Sequence, residues 1–236
     1  LWGLEGTYRL IPFGVVASAW LFVRFRRIPI HQDITEKKSL SVFGEVFRRH
    51  LNLFLCIAGI ILFRACMKSA MVNFLPTYLN VKGESLWFAG LSLSLFELAG
   101  AGGTFLAGTL SDRFGRDATL LWITLLSPLF MMVFIFSKGF WVFPVLLALG
   151  FIMLSAGPVT LALIMDQKTR YQTFMTSIYM TITFISDSVT GLLIGIMGDW
   201  VGLVNTFKIS AGLSLLAIPF VLMLRSQIEN RLKVED

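Results

Sequence analysis

Seven apolar runs, each near the length that crosses a lipid bilayer, take up almost the whole of this chain: about 9 to 24, 51 to 79, 86 to 110, 118 to 136, 140 to 165, 172 to 197 and 204 to 224. A hydrocarbon core about 30 Å thick takes roughly 20 apolar residues wound as a helix. The chain is therefore predicted to be an all-α integral membrane protein, a helical bundle of about seven transmembrane spans. Its composition agrees: 14% of residues are charged and 56% hydrophobic, with a mean hydropathy of +0.78, whereas soluble domains carry roughly 25% charged residues. The first run is the weakest, because only Leu10 to Val23 is free of charge, between Arg9 and Arg24.

Orientation follows from the connecting segments, since cationic loops stay on the cytoplasmic side. Of the 20 Lys and Arg, 14 fall in one alternate set of loops, among them Arg24, Arg26, Arg27, Lys37, Lys38, Arg48, Arg49, Arg113 and Arg116. The other set holds Arg9, Lys82, Lys138 and Lys208, and Arg64 and Lys68 lie within a span. The chain is predicted to start outside and end in a cytoplasmic C-terminus, in a plasma membrane, the inner one in a bacterium. Trp2, Trp20, Trp87, Trp122, Trp141 and Trp200 fall at or near span ends, where an indole keeps its ring in the acyl boundary and its N–H in the headgroups.

The net charge of +6 thus belongs to membrane topology, and no nucleic acid partner is expected. Cys56 and Cys66 lie on one helix, about 15 Å apart along its axis and out of disulfide reach. With His31 and His50 the only histidines, no metal site and no Ser-His-Asp device has its parts, and no P-loop marks an ATP-driven pump. No cofactor is expected, and the chain is read as not an enzyme.

Four charges lie deep within spans: Arg64 and Lys68 in the second, Glu97 in the third and Asp187 in the sixth. An Arg, Lys or Asp costs about 2.5 to 3.5 kcal/mol at the centre of a membrane helix, so such groups face a protein interior or a wet cavity and find partners. Arg64 and Lys68, four apart, share a helix face. Two readings stay open: buried ion pairs that fix packing, or substrate and proton handling, with Glu97 and Asp187 as proton carriers and the two cations drawing an anionic solute. Asn73, Tyr78, Ser155 and Thr160 are further polar candidates for a cavity wall. Ala99, Gly103 and Ala107 form a stripe of small residues at four-residue spacing, Gly191 and Gly195 repeat it, and Gly157-Pro158 interrupts the fifth span.

Between the third and fourth runs stands Gly108-Thr-Leu-Ser-Asp112-Arg113-Phe-Gly115-Arg116. Asp112 is predicted at the C-terminal, negative end of its helix, so it needs a cation or the N-terminus of another helix, and Asp117 is placed to cap the next helix. The loop resembles the G-x-x-x-D-R-x-G-R signature of the major facilitator superfamily of membrane transporters, except that the next position, usually basic there, is Asp117. The resemblance implies a twelve-span fold of two six-span halves, with this signature between spans eight and nine. Residues 1–24 then match the last span of the N-terminal half, 25–50 the cytoplasmic central loop, and 51–236 the C-terminal half with a short cytoplasmic tail.

It follows from the resemblance that the function is secondary active transport of a small solute by alternating access, proton-coupled, for efflux or uptake. The implied partners are the lipid bilayer, protons, a small-molecule solute and a missing N-terminal half; Arg64 and Lys68 would suit an anionic solute. Asp112, Arg113 and Arg116 would form a conformational gate latch, with Gly108 and Gly115 allowing a close turn. Asn73-Phe-Leu-Pro-Thr-Tyr-Leu, Gly150-Phe-Ile-Met-Leu-Ser-Ala and Met165-Asp166-Gln167 resemble stretches of fosmidomycin-resistance type efflux carriers; uptake of an organic anion is the alternative. The chain is expected to be a piece of a longer one. Within 24–50, Leu40, Val42, Phe43, Val46 and Phe47 fit either a helix on the membrane surface or a solvated linker. A seven-span receptor or retinal protein, with Lys208 about one turn into the last span, and an inactive transporter fragment are the other readings.

Overall fold

The computed structural model describes residues 11–25, 48, 51–166 and 171–235, and every described element is a helix. The chain divides into two units, Leu1–Val42 and Phe43–Asp236. The first unit contributes α1 (Ile11–Phe25), apolar but at about 22 Å shorter than a bilayer core. The expected helix or linker at 24–50 lies outside the described residues, apart from single helical positions at Arg24, Phe25 and Arg48.

Among its described residues the second unit carries six spans of membrane-crossing length and composition. They are α2 (Leu51–Val81), α3 (Leu86–Phe114), α4 (Arg116–Phe136), α5 with α6 (Val142–Leu154 and Ala156–Met165), α7 (Gln172–Val201), and α8 with α9 (Leu203–Leu215 and Ala217–Glu235). Local chemistry sets their limits. The 82–85 turn ends at Ser85, whose hydroxyl caps α3 by accepting from the Phe88 N–H at 3.2 Å. Gly115 and Gly202 each join two helices with no other linker residue, at φ of 86° and 81°, a left-handed conformation that glycine reaches without a Cβ clash. Because Gly115 makes the whole turn, Asp117 sits inside the first turn of α4 and not at its cap as expected.

Two spans are broken. The turns at Ser155 and Leu216 each lie three residues before a proline, Pro158 and Pro219. Proline has no N–H for the carbonyl four residues back, so Leu154 and Leu215 lose their acceptor role and the helices end there. Pro76 and Pro128, in α2 and α4, are carried through without a break.

The helix α2 packs against α3, α7, α8 and α9, and α3 against α5. The α3–α5 contact is a backbone approach: a Cβ on Gly103 would strike the Phe151 carbonyl and the Ser155 hydroxyl, and one on Gly150 would strike the Phe96 carbonyl. Apolar packing falls into two clusters along the bundle. One gathers Met67, Met71, Tyr78, Phe96, Phe134 and Phe207; the other Phe54, Ile57, Ile60, Leu120, Val159 and Val221. On α2 the second cluster stops at Ile60 and the first begins at Cys66, and Arg64 stands between them.

Candidate functional site

At the level of that gap, α2, α3, the α5–α6 break and α7 surround a cleft of about 360 Å³, within the range of small-ligand pockets. All four deep charges, Arg64, Lys68, Glu97 and Asp187, line it. Lys68 Nζ lies 2.8 Å from Asp187 Oδ2, and both side chains keep part of their surface open, 42% and 34%. This pair joins α2 to α7 across 119 residues of sequence. Glu97 is exposed to the cleft and, among the described residues, has no cation within ion-pair distance.

Arg64 is held differently. Its Nη2 donates to the Met153 carbonyl at 3.1 Å, and its buried Nε has no partner among the described residues. The reason is the broken fifth span: the last turn of α5 presents carbonyls with no intrahelical donor, at the negative end of its dipole, where a guanidinium is favoured. Across the break, the Tyr179 hydroxyl donates to the Gly157 carbonyl at 3.1 Å. Thr160 and Thr183 line the same space, though their hydroxyls donate within their own helices, to Ala156 and Tyr179.

Of the other polar candidates, Asn73 is outside the lining and donates to Ser69 Oγ at 3.1 Å, beside Gly191. Ser155 donates to Phe151 O and is wedged against Gly103. Tyr78 is buried in the first apolar cluster, stacked on Phe207 with ring centroids 4.1 Å apart. Tyr179 and Thr104 line the cleft but carry no sequence signal beyond being polar in a span; only position relative to Asp187, two turns away on α7, could have pointed to Tyr179.

The loop residues form a separate constellation at the end of the bundle where α3, α4, α6 and α9 meet. Asp112 accepts from Arg116 Nε at 3.3 Å and Nη2 at 3.0 Å. The other side of the same guanidinium donates to the Ala162 carbonyl at 2.7 Å and pairs with Asp166 at 2.5 Å. One arginine therefore ties the α3–α4 turn to the end of α6, and the cation that Asp112 was expected to need comes from the next helix. Asp117 pairs with Arg225 of α9 at 3.3 Å. Arg113 is exposed and makes no ion pair among the described residues. Gly108 is not part of the turn: it lies inside α3 and a Cβ there would meet nothing within 4 Å, so the close turn rests on Gly115 alone.

The family model described as Major Facilitator Superfamily matches residues 2–190 and 103–235. The chain belongs to the major facilitator superfamily. Membership makes this protein an integral multi-pass membrane protein that moves a solute across the bilayer, and sets aside the receptor and retinal readings. No curated protein matches the transporter's sequence. In this transporter, α3 and α7, which carry the two cleft carboxylates, are the least buried of the six spans, 22% and 17% against 56% for α2.

Proposed function

We propose that this protein is a proton-coupled secondary transporter of a small organic anion, working by alternating access around the Arg64 cleft, and not an enzyme. The observation that carries the reading is Arg64 itself: a mid-span guanidinium held by a backbone carbonyl, with no carboxylate within ion-pair distance among the described residues, facing a cleft of ligand size. A carboxylate or phosphate supplies the missing counter-charge and the bidentate geometry that a guanidinium favours. Asp187 and Glu97 are the groups available to carry the proton. A proton on Asp187 removes the counter-charge from Lys68 and frees a second cation for the solute.

In this reading the six-helix unit is the C-terminal half of a twelve-span carrier, the cytoplasmic side carries the Asp112–Arg116–Asp166 cluster, and that cluster closes one of the two access states. Low burial of α3 and α7 supports a partner half against them: Leu98, Phe105, Phe184 and Leu192 stand 70%, 86%, 69% and 68% exposed beside the two carboxylates. Efflux is the direction suggested by the likeness to fosmidomycin-resistance type carriers, in a bacterial inner membrane.

The test is uphill transport of a panel of small anions by the intact protein in proteoliposomes under an imposed pH gradient. Arg64→Gln is expected to lose solute binding. Glu97→Gln or Asp187→Asn is expected to lose pH-driven accumulation while solute exchange persists. A second reading has the Lys68–Asp187 pair as a packing device only; Asp187→Asn would then lower the melting temperature and leave coupling intact. Retained pH-driven accumulation in both carboxylate variants overturns the coupling assignment.

A further inference from the structure

The bundle end opposite the Arg116 cluster carries a second polar cavity, of about 320 Å³, between the ends of α2 and α4 and the start of α5. Tyr78, Lys82, Ser137 and Lys138 contribute its polar side chains, with Glu84 at one edge. Its cations are unusual for where they stand. Charge counting puts this end on the outside, where basic residues are few, yet Lys138 and Lys208 both come within electrostatic range of Lys82 here. Among the described residues none of the three has a carboxylate within ion-pair distance, Glu84 included.

Lys82 is fixed in place. Its Nζ donates to the Ile135 carbonyl at 2.7 Å and sits 4.6 Å from the centroid of the Tyr78 ring. Two further ammonium protons remain, because a lysine has three donors. The Tyr78 side chain is fully buried, and its hydroxyl has no partner among the described residues. Partial burial and the like charges of Lys138 and Lys208 together push the Lys82 ammonium below the ordinary lysine range.

We propose that this cavity binds a phosphate group, with Lys82 and Lys138 as the charged contacts and Lys208 adding field. A phosphate offers several strong acceptor oxygens and the negative charge the three lysines lack. Its source is either the headgroup of an anionic phospholipid or a free phosphate. The lipid is the better fit to the surroundings, since Phe140 and Trp141 stand 79% and 73% exposed on the turn beside Lys138, at headgroup level. This site lies apart from the Arg64 cleft and stands or falls independently of the proposed transport cycle.

The experiment compares thermal unfolding of the full-length protein in nanodiscs of phosphatidylcholine, of phosphatidylcholine with phosphatidylglycerol, and of phosphatidylcholine with added inorganic phosphate. Parent protein and Lys138→Gln/Lys208→Gln are measured, with Arg113→Gln as a control for anionic lipid at the opposite end. Neither the Lys138 nor the Lys208 side chain makes a hydrogen bond or ion pair among the described residues, so the double variant is expected to fold. A stabilisation by phosphatidylglycerol that the double variant loses and Arg113→Gln retains supports a lipid site; the same pattern with inorganic phosphate supports a soluble one. No stabilisation by either anion, or one that the double variant keeps in full, overturns the proposal.

Discussion

Tyr179 of α7 holds the carbonyl of Gly157, the second residue after the break in the fifth span, at 3.1 Å. The break frees the Met153 carbonyl, which Arg64 takes, and Tyr179 bonds the Gly157 carbonyl just beyond it, so α2 and α7 are both bonded to the same irregular turn. Any displacement of that turn moves the two helices that carry the Lys68–Asp187 pair.

Tyr179→Phe removes the hydroxyl with no change of ring volume. The lost bond is worth about 1 kcal/mol, a modest decrease in unfolding temperature. The effect on transport is expected to be larger than that, because α6 is no longer tied to α7 beside Arg64. Initial transport rate and unfolding temperature measured together check this; parental values of both would remove Tyr179 from the mechanism.

Arg116 serves Asp112 with one edge of its guanidinium and Asp166 and Ala162 with the other. A lysine carries the charge but not the planar fork. Arg116→Lys is therefore expected to behave nearly as badly in transport as Arg116→Ala, and Asp112→Asn and Asp166→Asn each to impair it while leaving insertion intact. Rates near parental for well-expressed Arg116→Lys would show that charge alone suffices at this position.

The Asp117–Arg225 pair joins the start of α4 to α9. Asp117→Arg sets two cations against each other, and Arg225→Asp does the same with two carboxylates. Each single change is expected to lower stability by up to about 1 kcal/mol, as for a half-exposed pair, and the combined reversal to recover most of it. A double-mutant cycle on unfolding temperature reads the coupling, and additive effects would count against the pair.

Gly103→Ala and Gly150→Ala drive a methyl group into a backbone carbonyl that has no rotamer with which to yield. Overpacking of this kind costs typically 1 to 3 kcal/mol. Gly108→Ala meets open space within α3 and is expected to stabilise by roughly 0.5 to 1 kcal/mol. Unfolding temperatures of the three variants in one detergent rank them, and an order other than this refutes the close α3–α5 approach.

The span pattern was legible because lipid admits almost nothing but apolar helices: runs of about 51 to 79 and 86 to 110 appear as Leu51–Val81 and Leu86–Phe114. The convergence of Arg64, Lys68, Glu97 and Asp187 was legible for the same reason, since each is too costly to face lipid. Other features depend on distance in sequence. Nothing local marks Asp166 as the partner of Arg116, or Tyr179 as that of Gly157. The break of the fifth span falls at Ser155, ahead of the Gly157-Pro158 step, because proline's effect lands on the carbonyl four residues back. The same rule applied to Pro219 marks the Leu216 break, which reading the last span as one apolar run passed over. Asp117 was misplaced as a cap because a single left-handed glycine leaves no room for one.

The 119 residues that separate Lys68 from Asp187 set an order of events during synthesis. The second span leaves the ribosome with two cations and must enter the membrane long before the helix bearing Asp187 exists. Its 31 residues, with the uninterrupted apolar stretch Leu53–Phe63 ahead of Arg64, are what hold it there in the meantime. Newly made chains that halt before α7 would carry an unneutralised lysine in the bilayer.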